Sequence, residues 1–150
     1  MGSWKDSLVN EALKWESKFT VMPQVTSAIS EYDAALLVGH TDETYAEEMK
    51  KQTPVTKGRD FIYNGKCYQI KANRPSGRRG SKVTRVGKAR NFEWHFLIWI
   101  LYDKNFVIKE AWQFDVEKYK ELFEHKERLN PEDMRKGVNL LNGRKQPAIY

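Results

Sequence analysis

Hydrophobic and polar residues alternate with a period of two on both sides of an Asn64-Gly65 step. Asn-Gly between two strand-like runs favours a two-residue type I′ turn, because both residues tolerate a positive φ. The turn predicts a hairpin that pairs Asp60 with Gln69, and the alternation puts Lys71 on the same face as Gln69. That face carries a carboxylate, an amide and an ammonium group. The opposite face is apolar and consists of Phe61, Tyr63, Tyr68 and Ile70.

Three helices are predicted before this hairpin. Apolar residues recur at helical spacing over residues 4–19 and 24–37. In the second of these segments the apolar positions are Val25, Ile29, Tyr32 and Leu36. Residues 41–51 form the third predicted helix, in which Thr41 is the N-cap and the early acidic residues suit the helix dipole.

Two strands and two helices are predicted after the hairpin. Residues 94–102 are apolar on both faces, as in a buried central strand, and residues 106–112 predict the next strand. Asp115 is the predicted N-cap of a helix that continues to about residue 128. Asn130 caps a shorter helix that has proline at its first position. This order predicts an α/β (α+β) fold, with a mixed sheet flanked by helices.

Length and composition bound the domain organisation. The 150 residues, 40% of them hydrophobic, can bury one core but leave no room for a second large domain. We therefore expect one domain over residues 1–150. Its parts are a helical region over about 4–51, a central region with the candidate chemistry over about 58–112, and C-terminal helices over about 115–141.

The cellular location follows from segments that the sequence lacks. No apolar run is long enough to span a membrane, and the N-terminal residues show no secretory signal pattern. The single cysteine, Cys67, cannot form an intramolecular disulfide and suits a reducing compartment. We expect no membrane partner and a cytoplasmic location.

Positive charge is concentrated in one segment. The formal net charge is +6, yet residues 71–90 hold eight basic residues and no acidic one. Their Gly, Ser and Pro content predicts a loop or loosely structured insertion. Such a segment is either a solvated surface or one that neutralises DNA phosphates and reads some base edges. The candidate DNA-binding residues are Arg74, Arg78, Arg79, Lys82, Arg85, Lys88 and Arg90.

The polar face of the hairpin has the groups of a metal-dependent phosphodiesterase site. Mg²⁺ prefers oxygen ligands, so Asp60, the side-chain oxygen of Gln69 and the backbone carbonyl of Ile70 could hold it beside a phosphate. Lys71 would neutralise phosphate charge and help to orient or deprotonate the attacking water. The alternative is an exposed hairpin with a solvated aspartate and lysine.

Asp60, the hairpin and Gln69-Ile70-Lys71 resemble the motif of the PD-(D/E)XK nuclease superfamily. This superfamily includes type II restriction endonucleases, junction resolvases and a few homing endonucleases. The resemblance covers about residues 41–115. Arg59 stands where the motif has proline, and Gln69 replaces the usual acidic residue, which should weaken cation binding although some active members have glutamine there. The resemblance implies a restriction-endonuclease-like fold, a Mg²⁺ cofactor, and catalysis by the three polar residues of the hairpin.

The resemblance also implies a glutamate from a helix that precedes the hairpin. Glu47, in the Ala46-Glu47 step of the third predicted helix, is the first candidate for this additional carboxylate near the metal. Glu48 and Glu11 are the alternatives. Each of these glutamates could instead lie on a solvated helix face.

Together these features predict a Mg²⁺-dependent, sequence-specific DNA endonuclease that is similar to small type II restriction enzymes. A homing endonuclease or a junction resolvase would share the same residues. A non-catalytic DNA-binding module with a decayed site is the alternative from another class. Because a chain of this size has one active centre, cutting double-stranded DNA predicts a homodimer. The first helix and residues 142–150 are the expected dimer surfaces.

Overall fold

The protein is described by a computed structural model that covers residues 3–52 and 60–141. Arg59 and residues 142–150, which bear on two of the expectations above, lie outside the described residues. The helices are α1 (Trp4–Phe19), α2 (Thr26–Val38), α3 (Asp42–Lys51), α4 (Val116–Phe123) and α5 (Pro131–Met134). The strands are β1 (Phe61–Tyr63), β2 (Lys66–Asn73), β3 (Phe96–Tyr102), β4 (Ile108–Asp115) and β5 (Val138–Asn139).

The five strands of the described residues form one mixed sheet in the order β1-β2-β3-β4-β5. β2 and β3 are parallel, and the other neighbouring pairs are antiparallel. Helices and this mixed sheet make the fold α+β, as the sequence predicted. The connection between the two parallel strands, residues 74–95, contains no helix, and most of the basic segment lies within it.

Hydrophobic clusters cover both faces of the sheet. On one face, α1 and α2 pack against a cluster that includes Phe61, Ile98 and Tyr102. On the other face, Trp99 and Tyr119 belong to a second cluster with residues of α4 and of the basic segment. Trp99 is fully buried, which confirms its predicted role in the core. Burial of a large apolar side chain stabilises the fold by about 1.5–3 kcal/mol.

The hairpin has the predicted turn and register. Asn64 and Gly65 have φ values of 50° and 74°, as a type I′ turn requires. Phe61 pairs with Tyr68, and the backbone N–H of Asp60 donates to the carbonyl of Tyr68 at 2.7 Å. The ladder therefore reaches Asp60 even though β1 begins one residue later.

The basic segment is irregular, as predicted, but two of its residues anchor it to the core. The N–H of Val86 donates to the carbonyl of Leu129 at 2.9 Å, and that of Ala89 donates to the hydroxyl of Tyr119 at 3.0 Å. Val86 and Ala89 are buried in the second cluster. The expectation of a loosely structured insertion is therefore wrong for residues 86–89.

Two elements end at positions other than those predicted. β4 continues to Asp115 because Phe114 is buried opposite Leu97. α4 ends at Phe123 instead of about residue 128. The ammonium group of Lys88 donates to the backbone carbonyls of Glu124 and Lys126, which satisfies groups at the C-terminal end of this helix.

Candidate active site

The carboxylate of Asp60 lies at the open end of the hairpin. Its Oδ2 accepts hydrogen bonds from the backbone N–H of Ile70 at 2.8 Å and from Nε2 of Gln69 at 3.2 Å. The predicted pairing of Asp60 with Gln69 is therefore present as a side-chain contact. The carboxylate thus bonds to the backbone of β2 at the edge where β1 pairs with it, and it continues the hydrogen-bond ladder of the hairpin.

Burial dominates the electrostatics of Asp60. Removal of its carboxyl from water raises its pKa, while the hydrogen bond from Ile70 and the positive charge of Lys71 act in the opposite direction. Lys71 is half-buried, and a Cβ atom at Gly87 would lie 3.8 Å from its Cδ. The lysine thus lies between the carboxylate and the anchored part of the basic segment.

The backbone of β2 directs the carbonyl of Ile70 toward the edge where Asp60 lies. The N–H and C=O groups of one strand residue point toward the same edge of the strand. Because the N–H of Ile70 reaches Asp60, the carbonyl of Ile70 is also directed toward this edge, at the end of β1. The structure is therefore compatible with the predicted use of this carbonyl as a ligand.

A second carboxyl group, on Glu31 of α2, interacts electrostatically with Asp60. Burial and the negative charge of Asp60 raise the pKa of Glu31 to about 7. Sequence reasoning missed this residue because the predicted apolar stripe of α2 did not include it. A usable signal was present, since Glu31 and Asp33 are the only charged residues of α2.

α3 provides a wall of the site. Nε2 of Gln52 donates to the backbone carbonyl of Asp60 at 3.1 Å and lies 3.5 Å from Oε2 of Glu48. The hydroxyl of Tyr45 has a raised pKa, first because it is buried and then because Glu31 and Asp60 are negatively charged. Tyr45 and Gln52 therefore line the space beside the two carboxyl groups.

The structure places Glu47 on the exposed side of α3. Its side chain is 69% exposed and pairs with Lys50 at 3.7 Å. Glu47 follows Tyr45 by two positions, which corresponds to about 200° of rotation around the helix axis. Glu47 therefore points away from the face on which Tyr45 meets the hairpin. Glu11 is also largely exposed and pairs with Lys14. Glu31 is the glutamate whose pKa responds to the charge of Asp60, and Glu48 is linked to the site through Gln52.

Arg74 also has a different position from the one expected. Its guanidinium binds both carboxylate oxygens of Glu16, at 2.7 and 2.9 Å, and donates to the backbone carbonyl of Lys104. It also lies over the ring of Phe106, 5.1 Å from the centroid. The side chain is only 5% exposed. This burial argues against the predicted contact between Arg74 and DNA, because the guanidinium is already fully engaged.

The other basic residues fall into two groups. Lys88 and Arg78 donate to backbone carbonyls, the latter to that of Thr20 at 2.5 Å. The remaining four predicted DNA-binding side chains are exposed and form no ion pair with any described residue. These residues are Arg79, Lys82, Arg85 and Arg90.

The oxygen donors at the site suit a hard cation with few protein ligands. Among residues 3–52 and 60–141, no group of three or more His, Cys, Asp and Glu side chains is placed to hold a metal. Glu31 and Asp60 supply two carboxylates, and Mg²⁺ is commonly held by one or two carboxylates and several waters. Gln69 presents its amide nitrogen to Asp60, so its amide must turn over before its oxygen can bind a cation.

Comparison with known proteins identifies no relative. No protein-family model matches the sequence, and no curated protein matches it. None of the helices among the described residues is long and apolar enough to cross a lipid bilayer.

Proposed function

We propose that this protein is a Mg²⁺-dependent, sequence-specific DNA endonuclease with a restriction-endonuclease-like core. The observation that carries the proposal is the position of Asp60 at the open end of the hairpin, where its carboxylate contacts Gln69 and interacts electrostatically with Lys71 and Glu31. Burial disfavours the ionised form of Asp60, and burial and the charge of Asp60 disfavour that of Glu31, so a divalent cation would stabilise both carboxylates. Glu31, Asp60, Gln69 and the carbonyl of Ile70 would hold that cation.

Each residue then has a role in phosphodiester hydrolysis. A bound Mg²⁺ polarises a phosphate and lowers the pKa of bound water. Lys71 stabilises the negative charge that develops on the phosphate. Lys71 would also help to orient or deprotonate the attacking water. The resemblance implies products with a 5′-phosphate and a 3′-hydroxyl.

The basic segment provides the DNA-contacting surface in this proposal. The side chain of Asn73, at the end of β2, donates to the backbone carbonyl of Arg85 at 3.3 Å. This contact and the proximity of Gly87 to Lys71 hold the chain around Arg85 beside Lys71. Arginines and lysines there would neutralise phosphates, and some would read guanine edges in the major groove. Cutting both strands of a duplex requires two centres, so we propose a cytoplasmic homodimer.

Plasmid cleavage tests the chemical centre of the proposal. The Lys71→Ala variant should cut DNA at least about 100-fold more slowly in Mg²⁺ than the unmodified protein. Lys66→Ala is the matched control, because Lys66 is an exposed lysine of the same strand, and should retain activity. Cleavage by Lys71→Ala at the unmodified rate would refute the role of this lysine. End-sequencing of the fragments would give the recognition site.

One observation favours a second candidate, a non-catalytic DNA-binding module. Gln69 offers an amide where a carboxylate would bind a cation more strongly, and its nitrogen already bonds to Asp60. Such a module would bind DNA equally well in EDTA and in Mg²⁺ and would never nick it. Fluorescence anisotropy in both buffers, together with the plasmid assay, separates the two candidates.

A further inference from the structure

One face of α1 exposes a set of large apolar side chains, which we call the α1 stripe. Trp4 is 82% exposed, Leu8 39%, and Trp15 and Phe19 53% each. At about 100° per residue these four positions fall within a sector of about 60°. The rings of Trp15 and Phe19 contact each other, with centroids 4.6 Å apart. Val21, which follows the helix, extends the stripe and is also exposed.

The rest of α1 is firmly attached to the core, so the stripe does not result from a loosely packed helix. Near its N-terminal end, the ammonium group of Lys5 pairs with the buried Asp33 at 2.7 Å, and the hydroxyl of Tyr102 donates to the same carboxylate. Near its C-terminal end, Glu16 forms the bidentate ion pair with Arg74. These contacts fix the orientation in which the stripe meets solvent.

We propose that the α1 stripe is the surface through which two copies of this chain associate, with their α1 helices antiparallel about a two-fold axis. The stripe exposes on the order of 500 Å² of apolar surface, since one aromatic side chain alone can bury roughly 150–250 Å². Isolated chains rarely expose apolar patches beyond a few hundred Å². A stable interface buries about 800 Å² per partner, and the polar flanks of α1 would supply the remainder.

The order of side chains along α1 is self-complementary in the antiparallel arrangement. The midpoint of the stripe falls between Glu11 and Ala12, so Trp4 of one copy lies opposite Phe19 of the other. Leu8 likewise lies opposite Trp15. Aromatic and aliphatic groups of different size therefore meet across the two-fold axis, as close packing of a self-complementary patch requires.

Charges beside the midpoint also match. Glu11 and Lys14 flank the stripe, are both largely exposed, and pair within one chain at 3.3 Å. In the antiparallel arrangement, Glu11 of each chain lies near the two-fold axis. It is then within about two residues of Lys14 of the other chain. The four side chains then form a neutral cluster. A parallel arrangement would instead place like charges side by side, since each residue would face its own copy.

This inference rests on the homodimer of the proposed function and names its surface, and it is tested separately, because association can be measured without DNA or Mg²⁺. Sedimentation equilibrium of the full chain over a wide concentration range should show a monomer–dimer equilibrium. Trp15→Glu should weaken dimerisation by about 30-fold or more, since it places a charge at the centre of the interface. Val138→Glu is the matched control, because Val138 is exposed on β5, and should leave the equilibrium unchanged. A protein that is monomeric throughout would overturn the proposal, as would a dimer that is unaffected by Trp15→Glu.

Cysteine cross-linking tests the orientation of the helices. Under mild oxidation, Glu11→Cys should form a covalent dimer, because the two copies of position 11 meet near the axis. Lys18→Cys should not, because the two copies of position 18 would be about 20 Å apart along the antiparallel helices. Cross-linking of Lys18→Cys with itself would refute the antiparallel arrangement. The unmodified protein, with Cys67 alone, reports the background. Circular dichroism verifies that each variant is folded.

Discussion

The carboxyl groups of Glu31 and Asp60 interact electrostatically although they are 29 positions apart in the sequence. Neither carboxyl has the pKa of a solvated side chain, because both are buried and the charge of Asp60 also acts on Glu31. For individual residues, the sequence predicts contacts between positions that are close along the chain. It predicted the contact of Asp60 with Gln69, because turn geometry alone sets that register. It could not predict Glu31, since its distance from Asp60 depends on how α2 packs on the sheet.

The raised pKa of Glu31 makes stability depend on pH. The folded protein binds a proton at Glu31 up to about pH 7, whereas the unfolded chain releases it near the ordinary value of 4.5. The free energy of unfolding should therefore fall as the pH rises from about 4.5 to about 7, by at most about 3 kcal/mol. Urea unfolding at pH 5 and pH 8 measures this loss. Glu31→Gln should reduce it, and the exposed Glu47→Gln should not.

Added Mg²⁺ provides a second readout of the same site. A cation bound by Glu31 and Asp60 should raise the urea midpoint at pH 8, which is above the pKa of Glu31. The rise should be smaller in Glu31→Gln. An equal rise in both proteins would place any cation elsewhere.

The orientation of α2 shows what a periodicity pattern cannot settle about an element. The predicted stripe was Val25, Ile29, Tyr32 and Leu36, whereas the buried residues are Ile29, Ser30, Asp33, Ala34 and Ala35. Small side chains let the helix approach the sheet closely, and the buried Asp33 is satisfied by Lys5 and Tyr102. A hydrophobicity pattern favours large apolar residues for the inner face, so it rotates this helix away from its true orientation.

Some basic side chains of the basic segment support the fold and others are exposed to solvent, and substitutions can distinguish the two groups. Arg74→Ala removes the charge-assisted hydrogen bonds to the partly buried Glu16 and should destabilise the fold by about 1.5–3 kcal/mol. Arg79→Ala removes an exposed side chain and should leave stability within about 0.5 kcal/mol, while DNA binding weakens. Urea unfolding and DNA titration of both variants measure the two effects. A stable Arg74→Ala protein with reduced DNA affinity would reverse this assignment.

The whole molecule combines a sheet whose order the sequence largely predicts with contacts between distant segments that it does not. The hairpin, the buried β3 and the helix caps follow from local patterns. The anchoring of Val86 to Leu129 and of Ala89 to Tyr119 joins segments that are 43 and 30 positions apart. Nothing in a loop rich in Gly, Ser and Pro signals such contacts, which explains why residues 86–89 are more ordered than expected.

The distribution of charge over the whole molecule predicts the salt dependence of DNA binding. Each exposed basic residue that contacts a phosphate should contribute about one unit to the slope of log K against log salt. Arg79, Lys82, Arg85 and Arg90 are the exposed candidates, so replacing any one with alanine should reduce the slope by about one. Titrations at several salt concentrations measure this slope. A reduction of the same size in Lys118→Ala, on the exposed surface of α4, would show that the slope reflects net charge alone.

The pair between Glu16 and Arg74 joins the helix that bears the α1 stripe to the first arginine of the basic segment. A substitution of either residue in this ion pair therefore affects both α1 and the basic segment. Replacing Glu16 would loosen the helix and would also release a guanidinium group into solvent near the start of the DNA-facing loop. Such a variant could lose self-association and gain electrostatic attraction for nucleic acid in a single step.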